Sequence, residues 1–171
     1  MIPSARGGKI KLEHCPKVKK IMKIKIRKAK KSESNKIISL VIELAKFEKL
    51  SPPGLQAQKC LIKDAFGKKP LFNILVVSIE NKIIAYAFYF FTYSSFLAKK
   101  TLYLEDIFVT KNYRDKGAGK LLFKELIKTA KKNKCGRMEW AVLDWNINAI
   151  KFYDSLGANE LKDWIYYRMN L

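Results

Sequence analysis

A chain of 171 residues with 49% hydrophobic content is long and apolar enough for one compact domain, which the patterning places at 22–171. Three widely spaced cysteines, Cys15, Cys60 and Cys135, argue against a disulfide framework, and the single histidine, His14, leaves Ser-His-Asp and Cys-His catalysis with little to work with. The net charge of +20 is mostly lysine charge, since only five of the 35 basic residues are arginine; it suits anionic ligands, nucleic acid or a membrane surface, and it equally fits a plain lysine-rich composition.

Residues 1–21 read as a basic N-terminal extension, with a flexible Ser4-Ala5-Arg6-Gly7-Gly8 and a cluster of Lys17, Lys19 and Lys20. Such an arm binds nucleic acid or another partner, or it is inert. It lacks the apolar centre of a signal peptide, and no run in the chain reaches the ~18 uncharged apolar residues of a membrane span, which predicts a cytoplasmic protein without a membrane partner.

The alternating run from Met22 to Arg27 predicts a first strand. Ser32 or Ser34 is placed to cap a helix over 36–46, with Ile37, Leu40, Val41 and Leu44 at helical spacing. After Ser51-Pro52-Pro53-Gly54, a second helix is expected over 55–66. Two strands follow, 72–79 and 83–92, joined through Glu80-Asn81-Lys82 as a hairpin. Residues 93–100 read as a loop, 102–110 as a strand, 118–133 as a helix, 138–143 as a strand, 146–156 as a short helix and 164–169 as a last strand. The predicted order is β-α-α-β-β-β-α-β-α-β: an α/β chain whose mixed sheet carries helices on both faces.

The most informative stretch is Arg114-Asp115-Lys116-Gly117-Ala118-Gly119, between a predicted strand and a predicted helix. Free amides and the positive end of a helix dipole make such a junction an anion cradle, and Gly117 and Gly119 tolerate positive φ and close approach. Taken alone, the same residues also fit a plain tight turn.

Arg114, Gly117 and Gly119 match the R/Q-x-x-G-x-G/A loop of the GNAT N-acetyltransferases, which the chain resembles. Asn146, Ala149 and Tyr153 resemble the same superfamily's N-x-x-A-x-x-x-Y element. Within it, Glu43 to Glu48, Phe90 to Ser94 and Tyr103 to Asp106 are similar to the diamine (spermidine/spermine) and thialysine acetyltransferases. The resemblance implies a GNAT-like acyl-CoA N-acyltransferase fold, acetyl-CoA as acyl donor with CoA as product, a homodimer, and direct transfer to a small amine. A protein lysine or N-terminal amine is the alternative acceptor, and a basic nucleic-acid-associated protein on the same scaffold is the alternative function.

The implied roles fall on particular residues. Tyr153 is the general acid for the departing thiolate, and Glu105 is the base and an amine ligand. Ile107, Phe108 and Val109 offer main-chain groups to the pantetheine arm. Arg114, Asp115, Lys116, Gly117, Ala118, Gly119 and Lys120 wrap the pyrophosphate, with Asn146, Ala149 and Tyr153 completing the cofactor side. Phe47, Glu48, Glu105, Asp106, Glu139 and Trp140 line the amine. Consecutive strand residues point to opposite faces, so Glu105 and Asp106 can serve one site only across a β-bulge, which is therefore expected there.

Overall fold

The computed structural model describes residues 24–170. The basic extension 1–21, with His14 and Cys15, lies outside the described residues. The elements are β1 (Ile24–Lys28), α1 (Ser34–Phe47), α2 (Leu55–Phe66), β2 (Asn73–Ile79), β3 (Lys82–Ser94), β4 (Lys99–Val109), α3 (Ala118–Lys132), β5 (Arg137–Trp140) and α4 (Ile147–Asp154). They build one five-stranded sheet in the order β1-β2-β3-β4-β5.

Strands β1 to β4 pair antiparallel, and β5 joins β4 in parallel. The parallel pair needs a crossover, which α3 supplies. The β2–β3 turn uses Glu80 and Asn81 at φ of 48° and 67°, the two-residue geometry whose twist matches the strands it joins.

Helices cover both faces, as the apolar spacing predicts. Ile37, Leu40 and Leu44 of α1 and Ala65 of α2 pack on Ile74, Val76, Tyr86, Phe88 and Phe108. On the other face, Leu122, Phe123 and Leu126 of α3 and Tyr153 of α4 pack on Leu75, Val77, Ala87, Leu102 and Leu104. Burying leucines fully, as at positions 40, 122 and 126, contributes about 2 kcal/mol each.

Three expectations need correction. Residues 164–169 form no strand: Trp164, Ile165, Tyr166, Tyr167 and Met169 are exposed, so the sheet ends at β5. Their β-branched and aromatic character gives a strand only where a neighbouring strand accepts its hydrogen bonds. The loop expected over 93–100 narrows to a turn at 95–98, because β3 and β4 stay paired out to Ser94 and Lys99. Neither Ser32 nor Ser34 caps α1; a short 3₁₀ turn, Lys31–Glu33, precedes it, anchored by Glu33 on Arg27 at 2.6 Å.

Candidate active site

β4 is paired with β5 only from Thr101 to Leu104. From Glu105 onward its second edge is unpaired by β5, and the sheet opens into a notch. On this edge the Val109 carbonyl is taken by Arg114 at 3.0 Å, while the main chain at Ile107 has no β5 residue opposite it, the geometry in which an extended arm adds to a sheet edge.

The opening coincides with a bulge. Phe88 pairs with Asp106 but Tyr89 pairs with Leu104, so Glu105 is the extra residue. Side chains record the slip. Leu102 and Leu104 belong to the α3-side core, and so do Ile107 and Val109. The alternation is displaced by one residue, and Glu105 and Asp106 both fall on the α1 side. The bulge expected from the sequence is present, and it aims two consecutive acids the same way.

Glu48 joins them from the C-terminal end of α1. A carboxylate there opposes the helix dipole and does nothing for the helix. Burial raises its pKa. Asp106 is pushed up to about 7, chiefly by burial and then by the charges of Glu105 and Glu48. Glu105 itself is exposed at the bulge. Glu139, opposite Tyr103 in the β4–β5 register, extends the acidic surface and pairs with Arg137 at 2.8 Å. Trp140, its neighbour, faces the other side and packs on Phe123 and Tyr153 at 5.0 and 5.1 Å between ring centres.

Tyr153 is buried among Phe123, Trp140 and Phe152. Burial first, and the charge of Glu48 second, push its pKa up to about 12. The phenol therefore holds its proton throughout the neutral range and can act as a donor rather than a base. Glu48, at the end of α1 on the other side of the sheet, is thus within electrostatic reach of the phenol.

The glycine turn closes the end of β4. Asp115 and Gly117 are the residues at positive φ, 59° and 81°; Gly119 is already helical. A Cβ on Gly117 would meet nothing within 4 Å, so the glycine serves the backbone angle and leaves open space outside it. At Gly119 a Cβ would touch Phe152 and Val109 at 3.8 and 3.9 Å, ordinary contact between helix and strand. The first helical bond here runs from Leu121 N–H to the Gly117 carbonyl. The amides of Ala118, Gly119 and Lys120 precede it at the start of α3, the kind of helix N-terminus that can hold an anion.

Arg114 braces this turn. Its Nε donates to the Val109 carbonyl at 3.0 Å, and its guanidinium lies over Phe47 at 4.7 Å and Phe108 at 5.5 Å. Phe47 in turn packs on Trp145 at 5.8 Å, an aromatic wall beside Glu48 whose indole half the sequence reading did not single out. Lys116 folds back to donate to the Asn112 carbonyl at 2.9 Å. Asn146 accepts the Ala149 N–H and so caps α4, fixing the helix that carries Tyr153.

Comparisons with known proteins identify the family and the fold. Residues 40–158 match the model of the acetyltransferase (GNAT) family. The thialysine N-epsilon-acetyltransferase of Mus musculus is 35% identical over 155 residues, covering 84% of this chain and 91% of that protein. The L-ornithine N5-acetyltransferase NATA1 of Arabidopsis thaliana is 47% identical over 87 residues, 51% of this chain and 38% of that protein. Among solved structures, a possible acetyltransferase from Clostridium difficile 630 superposes with a TM-score of 0.76 at 24% identity, covering 86% of this chain and 97% of that one. That likeness speaks for the fold alone.

Proposed function

We propose that this chain, which belongs to the acetyltransferase (GNAT) family and is an N-acetyltransferase, moves the acetyl group of acetyl-CoA to a primary amine of a small diamine, polyamine or lysine-like acceptor. Family members use acetyl-CoA as co-substrate. The fit on this chain is the open cradle at Gly117, the free amides at the start of α3 and the unpaired edge of β4. Acetyl-CoA supplies the acetyl thioester; the protein supplies position and protons.

The bulge at Glu105 carries the acceptor reading. It gathers Glu105 and Asp106 with Glu48 on one side of the notch, in a chain whose net charge is +20. Acids concentrated against such a background single out a cationic ligand. Long-range repulsion slows the approach of a polycation, but salt screens it beyond about 10 Å, and contact with the acids decides binding. A second ammonium is what the acids left over from proton transfer would hold. The mouse relative is named for thialysine and the plant one for ornithine; both compounds pair an amine with a second charged nitrogen.

An alkylammonium has a pKa near ~10.4 and cannot attack until it loses a proton. Glu105, exposed at the notch, takes that proton directly or through one water. The freed nitrogen bonds to the acetyl carbon, a main-chain N–H of the β4 edge meets the oxygen charge, and the carbon–sulfur bond breaks. Tyr153 gives its proton to the departing sulfur, and the acylated nitrogen sheds its second proton, which restores the phenol through water; the proton on Glu105 passes to solvent, leaving a neutral amide and a free thiol. Its pKa of about 12 exceeds that of a free thiol, but the burial that raises the phenol also raises a thiolate leaving beside it.

The test is a screen of acceptors with mass detection of acetylated product: spermidine, spermine, thialysine, ornithine, agmatine and lysine-bearing peptides. Turnover of small diamines and amino acids is expected. Silence with all of them, alongside turnover of a peptide, overturns the small-amine assignment. The implied homodimer draws support from the exposed row Trp164 to Tyr167, and light scattering that returns a monomer removes it.

A further inference from the structure

Tyr86 is the most conspicuous polar group outside the machinery just described. It lies on β3 and pairs with Phe108, while its neighbour Phe88 pairs with Asp106. By strand alternation Tyr86, Phe88, Phe108 and Asp106 share the α1 face, with Tyr86 one step diagonal from the acid. Its side chain is fully buried, at 0% exposure. The ring is fixed against Phe88 at 4.7 Å and Phe108 at 6.3 Å between centres.

A phenylalanine would fill this space equally well, yet the chain places a hydroxyl there. That hydroxyl is buried with no hydrogen-bond partner, a state that costs free energy and asks for a reason. The carboxyl one diagonal step away on this face is that of Asp106, and its charge acts on the phenol.

We propose that Tyr86 is a positioning residue for amine recognition: from beneath the sheet surface its hydroxyl holds Asp106 in the anionic form that receives a substrate ammonium. The role rests on the acceptor reading above. The groups acting on Asp106 are Glu105 on its own strand, Glu48 at the end of α1 and Tyr86 on β3. Two of these are acids that, together with burial, favour its neutral form. Tyr86 is the one that favours the charged form. When the ammonium arrives, the carboxylate has a donor below and a cation above. When it leaves, the phenol is the remaining support against the two neighbouring charges.

The contacts also say what Tyr86 does not do. Its own pKa is driven far upward by burial and by Asp106 and Glu48, so it stays neutral and donates. It makes no approach to the α3 side, where Tyr153 lies.

Tyr86→Phe removes one oxygen and preserves the packing. The acid limb of the kcat/KM profile for a diamine is expected to move up by about one pH unit, with KM at pH 7 raised several-fold, the size of losing one hydrogen bond to a charged acceptor. The Asp106 titration, followed by the carboxyl carbon shift in NMR without any substrate, should move up by the same amount. In an Asp106→Asn background, Tyr86→Phe should leave the profile where Asp106→Asn alone puts it. An Asp106 titration that does not move in Tyr86→Phe overturns the proposal, as does a shift that persists at full size in the Asp106→Asn background. Because the NMR readout needs no acceptor, an enzyme inactive toward every small amine defeats the acceptor assignment and not this one.

Discussion

The two surfaces that meet at the β4 notch are built from different material. On the proposed function, the recognition groups at the Gly117 turn are main-chain amides, and side chains such as Arg114 and Lys116 are occupied in bracing the turn itself. Across the strand, around Glu105, Asp106 and Glu48, the recognition groups are side-chain carboxylates whose charge depends on burial and on one another. A main-chain site answers to backbone angle and little else. A carboxylate site answers to pH, to each neighbour and to the strand's count. The donor half of the reaction should therefore tolerate side-chain change and fail on conformation, while the acceptor half should do the reverse.

Tyr153, at the seam between the halves, gives the largest expected effect. Tyr153→Phe should lower kcat by about 100-fold or more while calorimetry finds acetyl-CoA affinity within about twofold of wild type. An unchanged rate would remove this phenol from the proton transfer. Glu105→Gln breaks the acceptor half next. The rate should fall about tenfold at pH 7, and the gap should narrow towards pH 9, where free amine no longer limits. Parallel profiles for the two proteins would leave Glu105 a ligand and nothing more.

Gly117→Val attacks the donor half through its φ of +81°. Forcing a branched residue into that region costs about 1–2 kcal/mol, so acetyl-CoA should bind about tenfold more weakly, with Gly117→Asn clearly milder. Equal losses for Val and Asn would mean that bulk, not angle, is what the turn excludes. Asp106→Asn sharpens the comparison with the smallest signal. The folded-state pKa of Asp106 lies at about 7, above the ~3.9 of an unfolded chain. Its contribution to stability is thus fully present below pH ~4 and is lost as pH rises through about 7. The amide escapes that penalty, so scanning calorimetry should find Asp106→Asn more stable by about 3 °C at pH 8, with the difference gone by pH 4. A constant difference at both pH values would detach the effect from ionisation.

Much of this was legible in the sequence because it is local. The span of α2 lies between Gly54 and Gly67, and the observed helix runs from Leu55 to Phe66 as its punctuation predicts. The bulge followed from requiring two adjacent acids to share a face. What failed was non-local. Residues 164–169 have strand-forming side chains but no strand beside them, and propensity does not supply one. Tyr86 was invisible as anything but core, since its relation to Asp106 depends on the β3–β4 register, which no spacing within β3 reveals. Gly119 matched the expected motif, yet its place is in the packing of α3 against Val109 and Phe152.

The surplus residue in β4 makes the catalytic surface a matter of counting. Removing any single position from 105 to 106 would restore perfect alternation, and with it send the surviving acid's neighbours into register with the regular strand. A deletion of one residue here removes an acid and leaves Leu104 and Ile107 on the face they already occupy. A descendant of this enzyme could therefore trade the acid pair for a single acid by losing one codon, with the rest of the strand keeping its faces.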